Sequence, residues 1–443
     1  MSKVVPYIAQ ALFSVPLLNV KRRLIERQRI KQGAPHLVTA YLRINDPYSM
    51  VLIQVLEQLQ DRYSIEYDFR TVLNLQSEMY PAPHLWEQNA LKDGQYLAGL
   101  YGLNFPTDNQ RPDFTHTENE KITAQLLHWE LQPGYLHNAK KLFSAYWSNN
   151  KAGVMALLNK DVINSVECYA HHLNANQAML KDNGHYLSAM LHYGKEWYWG
   201  LDRLQYLERR LNDLNVNNFE KEVLFDSTHS HFCKHMNQEQ VASALPNTNV
   251  EPLIMYWSLR SPYSYLAIVR ARQLAQHYNT LLIIKPVLPM VMRRMLVPKN
   301  KTSYIASDVK RESLRYGINF GRIADPLGAG VERCYSIYEY ALSKNKGNDF
   351  LEHWAKSVWS LGVDSATDAG VKKIIDNVGL DWIEVKPLLK NNDWRTWVQS
   401  NLAELYSHKL WGVPTLVYKD CKVFGQDRLD VIERAIYDDI KDN

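Results

Sequence analysis

The sequence lacks any pair of cysteines close enough to act together. Its four cysteines are widely scattered, and no two of them have the CxxC spacing: Cys168, Cys233, Cys334 and Cys421. That spacing is the one used by dithiol catalysts and zinc knuckles, so the sequence predicts neither. Unpaired cysteines fit a reducing compartment, and we therefore expect a cytoplasmic location.

Charge of one sign is also scarce, because the net charge is only +4 over 443 residues. This balance gives no reason to expect nucleic acid or a membrane surface as a partner. The sequence has no phosphate-binding loop and no GxGxxG fingerprint, so nucleotide binding is not predicted. His229 and His231, with Cys233 nearby, fall in a polar segment where a solvated loop is expected, and we predict no metal site.

No hydrophobic run is long enough to predict a spanning helix. Residues 4–20 are fairly apolar and are followed by Lys21-Arg22-Arg23. The stretch has no small-residue cleavage site, and its positive charge follows the apolar part, unlike a signal peptide. It is short for a membrane span and is interrupted by polar residues. We expect residues 1–35 to form a helical arm.

What the chain does have is an internal repeat. Asp46-Pro47-Tyr48-Ser49 follows an apolar strand, as Ser261-Pro262-Tyr263-Ser264 does in the second half of the chain. Residues 199–204 likewise parallel residues 424–429. Two matches in the same order predict tandem domains. The predicted bounds are given in chain order: an arm over 1–35, a first domain over 36–213, a polar linker over 214–250 and a second domain over 251–443.

Both copies show the same order of elements: strand, helix, strand, long helical insertion, hairpin and final helix. We predict these segments in the first and second copies: strands over 37–44 and 253–258, helices over 47–62 and 262–278, second strands over 64–72 and 280–287, insertions over about 80–180 and 300–405, and hairpins over 189–199 and 415–424. This order indicates an α/β fold with a mixed sheet and a large helical insertion in each domain.

The junction at Ser261 and Pro262 indicates a chemistry. Pro262 suits the first turn of a helix, because its missing N–H would have no partner there. Ser261 then lies at the positive end of that helix, where an anion is favoured. A redox protein would need cysteines here, so any thiolate must arrive with a ligand. The alternative is that Ser261 only caps its helix.

Four motifs of the second copy, taken together, resemble a known family. In chain order they are Ser261-Pro262-Tyr263-Ser264-Tyr265-Leu266, Lys301-Thr302-Ser303-Tyr304 with Asp308 and Arg311, Gly412-Val413-Pro414-Thr415, and Phe424-Gly425-Gln426-Asp427-Arg428-Leu429. They are similar to the DsbA-like thioredoxin branch that contains kappa-class glutathione transferases and 2-hydroxychromene-2-carboxylate isomerases. The resemblance covers roughly residues 252–440, and the first copy resembles the same fold more loosely. It implies two tandem thioredoxin-like domains.

The resemblance implies glutathione as the bound cofactor, with Ser261 donating a hydrogen bond to its sulfur as the catalytic residue. The implied glutathione-binding residues are Pro262, Tyr263, Asn300, Val413, Pro414, Gln426 and Asp427. Val413 would offer backbone groups ahead of a cis-proline, and Gln426 and Asp427 would hold the γ-glutamyl end. From the residues alone, Pro414 could instead be a trans-proline, and Asp427 could simply cap the last helix. We expect Tyr304, Asp308 and Arg311 to order the insertion.

The first copy lacks these features. Asp46 replaces the serine, where a carboxylate would repel a thiolate, and Ser188 or Ala189 stands where Pro414 does. We expect no glutathione there; the alternative is a separate site that uses Asp46 as an acid or base. The chain would be a monomer in which the first domain replaces a partner subunit, or a homodimer.

The predicted function is that of a glutathione-dependent transferase or cis-trans isomerase acting on a small electrophile, with aromatic compounds among the candidates. A second hypothesis is a non-catalytic binding module or scaffold. The third is a relative of protein disulfide oxidoreductases that has lost its CxxC motif.

Overall fold

The computed structural model describes residues 4–74, 79–80, 82–108, 110–226, 250–295 and 297–442. It divides into two compact units, one of Lys21–Thr228 and one of Met1–Val20 with His229–Asn443. The division falls inside the predicted N-terminal arm. Most of the predicted linker, with His229, His231 and Cys233, lies outside the described residues.

The N-terminal unit contains the first sheet and its helices. Its elements in chain order are β1 (His36–Leu42), α3 (Pro47–Arg62), β2 (Ile65–Thr71), α4 (Pro83–Tyr101), α5 (His116–Glu130), α6 (Tyr135–Trp147), α7 (Lys151–Leu157), α8 (Lys160–Ile163), α9 (Ala170–Asp182), β3 (Met190–Tyr193), β4 (Glu196–Trp199) and α10 (Leu204–Asp213). Two helices precede these elements along the chain: α1 (Val5–Leu12), which belongs to the C-terminal unit, and α2 (Val15–Lys31), within which the two units divide.

The C-terminal unit repeats this order. Its elements are β5 (Leu253–Trp257), α11 (Pro262–His277), β6 (Leu282–Pro286), α12 (Lys299–Arg315), α13 (Ala329–Ser343), α14 (Gly347–Trp359), α15 (Asp368–Val378), α16 (Trp382–Leu388), α17 (Trp394–Ser407), β7 (Thr415–Tyr418), β8 (Cys421–Phe424) and α18 (Leu429–Asp442).

Each unit has one four-stranded mixed sheet, in the order β2-β1-β3-β4 or β6-β5-β7-β8. The first two strands of each unit are parallel, and the first hairpin strand runs antiparallel to the central one. The central strands pair with the hairpins in equivalent register, Tyr41 with Met190 and Tyr256 with Thr415. The predicted fold class, two tandem α/β domains with mixed sheets and large helical insertions, is confirmed.

Local signals explain why the key helices begin where they do. α3 and α11 both start at a proline, and each is preceded by a residue whose side chain accepts a backbone N–H of the first turn, Asp46 or Ser261. Proline at the first position and an oxygen-bearing cap are common start signals of a helix. No described helix combines the length and the apolar character that crossing a membrane requires.

Candidate functional site

Ser261 lies where β5 gives way to α11. Its backbone N–H donates to the Ser258 carbonyl at 3.0 Å, which closes the turn between strand and helix. Its Oγ accepts the Ser264 backbone N–H at 3.1 Å, so the serine does cap the helix. As the cap, the side chain lies at the positive end of α11. It is half-buried, so it is not sealed from solvent.

The proton of the same hydroxyl is directed to the loop before β7. Ser261 Oγ donates to the Val413 carbonyl oxygen at 3.3 Å, a long hydrogen bond that joins positions separated by 152 residues. The Val413–Pro414 peptide bond is cis, and the Pro414 carbonyl accepts the Gly425 N–H at 2.9 Å. The structure thus brings the predicted serine and the predicted backbone segment together.

Pro262 and Tyr263 complete the first turn of α11. Tyr263 donates its hydroxyl proton to Asp308 Oδ2 at 2.7 Å, and Arg311 donates to the other carboxylate oxygen at 3.3 Å. Asp308 is buried within α12, so these bonds fasten the helical insertion to the first turn of α11. Tyr263 therefore helps to hold the helical insertion against the first turn of α11. Ordering the insertion is the role that the sequence predicts for Asp308 and Arg311.

Gln426 is buried, and its side-chain amide is engaged inside the protein. Its Oε1 accepts from Arg270 at 2.6 Å, and its Nε2 donates to Glu312 Oε2 at 2.8 Å and to Asp427 Oδ1. Arg270 also donates to the Gln426 backbone carbonyl and stacks on Tyr316, with its guanidinium carbon 3.8 Å from the ring centre. In this arrangement the Gln426 amide holds the Asp427 carboxylate in place.

Asp427 is half-buried and lies inside the short 3₁₀ turn Gln426–Arg428, ahead of α18. In the N-terminal unit the equivalent Asp202 lies inside the matching turn, and the residue that caps α10 is Arg203, whose side chain makes no cap hydrogen bond. Both aspartates therefore lie two residues ahead of the final helix of their unit.

Asn300 and Lys301 lie in the first turn of α12, outside the Ser261 turn. The Asn300 side-chain oxygen accepts the Lys301 backbone N–H at 2.9 Å, a bond within its own helix. Burial lowers the pKa of the Lys301 ammonium group to about 8. Perturbed pKa values cluster at functional sites, although structural networks produce them too. Sequence reasoning quoted Lys301 within a motif but assigned it no role.

Sequence reasoning also missed Arg270 and Glu312. They lie on α11 and α12 and meet Gln426 across separations of 156 and 114 residues. The signal that could have found them is their position in otherwise apolar helical faces, because a buried charge needs a partner.

The equivalent junction of the N-terminal unit is closed by its own side chains. Asp46 is 1% exposed, and its carboxylate accepts the Tyr48 and Ser49 backbone N–H groups. It also accepts the Ser49 and Ser188 hydroxyls at 2.7 and 2.8 Å. Ala189 takes the place of the proline, since its carbonyl accepts the Gly200 N–H at 2.8 Å. This carboxylate is a buried cap with its oxygens occupied.

Within the described ranges, no three His, Cys, Asp or Glu side chains are grouped so that they could hold a metal ion. Cys334 is buried and Cys421 half-buried, and burial raises the pKa of both thiols, that of Cys421 to about 11. A raised pKa disfavours the reactive thiolate.

Comparison with known proteins finds relatives of the C-terminal unit. Residues 253–437 match the family model of the DSBA-like thioredoxin domain. A 2-hydroxychromene-2-carboxylate isomerase of Sphingobium xenophagum is 22% identical over 193 residues, which cover 41% of this chain and 96% of that protein. An isomerase of the same name from Pseudomonas putida is 24% identical over 190 residues, covering 41% and 92%.

Two solved structures are also similar over a comparable share of the chain. A 2-hydroxychromene-2-carboxylate isomerase is 22% identical with a TM-score of 0.37, covering 42% of this chain and 94% of its own. A probable DsbA oxidoreductase from Streptomyces coelicolor is 13% identical with a TM-score of 0.35, covering 43% and 89%. The family match confirms the resemblance of the second copy: residues 253–437 form a DsbA-like thioredoxin domain.

Proposed function

We propose that the C-terminal unit binds glutathione and uses its thiolate to isomerise a small conjugated electrophile. The observation that carries the proposal is the Ser261 hydroxyl, half-buried at the N-terminus of α11 and bonded to Val413 at only 3.3 Å. A long hydrogen bond to a neutral carbonyl is readily exchanged for one to a charged sulfur, which is the stronger acceptor.

The electrostatics are sufficient for this role. A free thiol has a pKa of about 8.5, so little thiolate is present at neutral pH. The helix terminus contributes roughly 0.3–2 kcal/mol to binding an anion, and a hydrogen bond to a charged group contributes about 1.5–3 kcal/mol. At about 1.4 kcal/mol per unit, these terms suffice to lower a thiol pKa by about one or two units.

The rest of the site suits the ends of a tripeptide. The Val413 backbone can pair with an extended ligand as a strand does. Asp427, held by the buried Gln426 amide, can accept an ammonium group such as that of the γ-glutamyl residue. Asn300 and the Lys301 ammonium group lie together in the first turn of α12, where they can contact an anionic group.

Isomerisation is favoured over transfer because both curated relatives carry the name of an isomerase. The thiolate's electron pair forms a bond to the conjugated carbon, and the π electrons of the double bond shift toward the carbonyl, whose oxygen takes the negative charge. The former double bond can then rotate. Expulsion of the thiolate restores the double bond and leaves glutathione unchanged. A transferase would instead keep the new carbon–sulfur bond.

The test is calorimetric titration with glutathione, combined with thiolate absorbance across pH. Ser261→Ala should raise the pKa of the bound thiol by about one unit and weaken binding about tenfold. Ser264→Ala is the matched control, because that buried hydroxyl has no hydrogen-bond partner among the described residues. Absence of binding at millimolar glutathione, or equal effects of the two variants, contradicts the proposal.

A non-catalytic binding module is the second candidate, and the closed Asp46 junction of the N-terminal unit favours it, since one unit already lacks an open site. The two candidates differ in turnover of a generic conjugated electrophile. Turnover that needs glutathione and is lost in Ser261→Ala supports an enzyme, whereas binding without turnover supports the module.

A further inference from the structure

The first two helices expose an unusual share of apolar surface. Among the described residues, 21 large apolar side chains are exposed, and nine of them lie between residues 4 and 31. Single exposed apolar residues are normal on a soluble surface. A concentration of this kind marks a surface that contacts something else.

α1 carries no charged residue and exposes one apolar side. Val5, Ile8 and Leu12 are 41%, 53% and 55% exposed. Their spacing of three and four residues puts them on one side of the helix. The helix is anchored to the C-terminal unit, since Pro6 is buried and the Tyr7 ring centre lies 3.9 Å from the Arg322 guanidinium carbon. The apolar side is therefore presented outward by a docked helix.

Apart from Lys21, the charged residues of α2 fall into an inner and an outer set. On the inner side Arg22 forms two hydrogen bonds of 2.8 Å with Glu196, which fasten the helix to the N-terminal unit. Arg29 on the same side pairs with Glu26, the only acidic residue of α2. Both cations of the inner set thus have an acidic partner within the unit, with Arg22 sharing Glu196 with Arg210.

The outer face of α2 consists of Val20, Arg23, Leu24, Arg27 and Lys31, all exposed. The three cations are spaced by four residues and so line one side of the helix, with the two apolar residues beside them. In the part of the chain that the structure describes, these cations form no ion pair. The face therefore interleaves unneutralised positive charge with apolar side chains.

We propose that the outer face of α2 binds an anionic lipid surface, with the helix lying in the headgroup layer. Basic residues interleaved with apolar ones are the pattern of helices that lie at this interface. Net charge averages over the whole chain, so the expectation of no membrane partner, which rests on it, does not weigh this local cluster.

Other occupants fit the outer face less well. A symmetric dimer would place the same face on both sides of the contact, bringing Arg23, Arg27 and Lys31 against their own copies with no acidic residue to offset them. Duplex DNA would neutralise the cations, but it offers nothing apolar to Val20 and Leu24.

The experiment is sedimentation of the full chain with two kinds of vesicle, one of phosphatidylcholine alone and one of phosphatidylcholine and phosphatidylglycerol mixed two to one. Binding should need the anionic lipid and should weaken as salt is raised. The triple variant Arg23→Glu, Arg27→Glu, Lys31→Glu should bind on the order of a hundredfold more weakly. The matched control reverses three exposed lysines elsewhere, Lys373, Lys390 and Lys409, and should bind like the unmodified protein.

A second variant, Leu24→Ser, should weaken binding severalfold without changing the charge. Circular dichroism of each variant checks that α2 and the fold remain. Equal binding to neutral and anionic vesicles would overturn the proposal, as would equal loss in the control triple. It would also be overturned if the chain ignored vesicles while the outer-face triple abolished a dimer or binding to duplex DNA.

Discussion

The two units bury opposite kinds of side chain at three equivalent positions. In the C-terminal unit these are polar, and in the N-terminal unit apolar: Arg270, Glu312 and Gln426 against Val55, Leu97 and Leu201. All six are buried, and the apolar three belong to one hydrophobic core. The same arrangement of sheet and helices therefore accepts either polar or apolar side chains at these three positions.

The equivalence rests on matching hydrogen bonds rather than on similar sequence. Tyr48 donates to Asp93 at 2.9 Å, and Tyr263 donates to Asp308 at 2.7 Å. Both bonds join residues that lie the same distance apart along the chain, so each member of one pair corresponds to a member of the other. The leucine and the glutamate one turn after these aspartates are therefore equivalent. This correspondence fits the predicted tandem duplication, which stays a prediction.

The difference shows that the fold does not require the polar set. Burying charged groups is costly unless each is paired, and apolar residues of similar size are often as stable. The C-terminal unit nevertheless keeps Arg270 and Glu312 in place around Gln426, whose amide ends on Asp427. A buried network that leads to a half-buried carboxylate is consistent with positioning that carboxylate for a ligand.

The largest expected effect comes from making the polar set incomplete. Glu312→Leu introduces the residue of the N-terminal unit and leaves the Gln426 amide buried with one acceptor fewer, beside the Arg270 charge. We expect a loss of about 3 kcal/mol in the free energy of unfolding of the C-terminal unit. Native-state hydrogen exchange of β5 and β7 measures this unit by itself.

Completing the exchange should reverse most of that loss. The triple variant Arg270→Val, Glu312→Leu, Gln426→Leu carries the N-terminal unit's residues at all three positions, so none of the three is left as a buried charge. We expect it to recover at least half of the lost stability while binding glutathione more weakly. A triple variant less stable than Glu312→Leu alone would show that the two units are not equivalent here.

Sequence reasoning predicted well what local signals specify. The predicted helix over 47–62 agrees with α3, because a proline and an oxygen-bearing cap mark its start. The hairpins and the helical insertions also follow the predicted order. The strand predicted over 37–44 ends earlier, at Leu42, because the chain already turns there: the Asp46 N–H donates to the Arg43 carbonyl.

The site was less predictable because its contacts join distant parts of the chain. Ser261 and Val413 could be placed together through the family resemblance, and the structure joins them. The Arg270–Gln426 contact spans 156 residues, and no local pattern encodes such a pair. The number of hydrogen bonds that Asp46 accepts was equally hidden, since Ser188 approaches it across 142 residues.

A smaller effect is the difference between the two helix caps, whose removal should differ in cost by about 2 kcal/mol. Asp46→Ala removes an acceptor of four hydrogen bonds and leaves the Ser49 and Ser188 hydroxyls buried, so we expect the N-terminal unit to lose about 3 kcal/mol. Ser261→Ala removes a half-buried cap and should cost the C-terminal unit about 1 kcal/mol. Hydrogen exchange in β1 and β5 compares them; equal costs would contradict the difference in closure.

The smallest effect concerns two equivalent glutamates in the final helices of the two units, Glu208 of α10 and Glu433 of α18. Burial raises the pKa of Glu433 to about 7, and burial also raises that of Glu208. Because the folded pKa of Glu433 exceeds its unfolded value of about 4.3, its stabilising contribution is complete below that value. The contribution is lost as the pH rises through about 7.

Glu433→Gln should therefore stabilise the C-terminal unit by about 2 kcal/mol at pH 8 and leave it nearly unchanged at pH 4. Glutamine keeps a carbonyl oxygen to accept the Tyr278 hydroxyl, which now bonds Glu433 at 3.0 Å. Glu208 instead accepts two backbone N–H groups, those of Leu224 and Phe225. Since an amide nitrogen cannot accept, Glu208→Gln should destabilise its unit by about 1 kcal/mol. If both variants changed the free energy of unfolding in the same direction, burial alone, and not the different hydrogen-bond donors, would determine the effect of each glutamate.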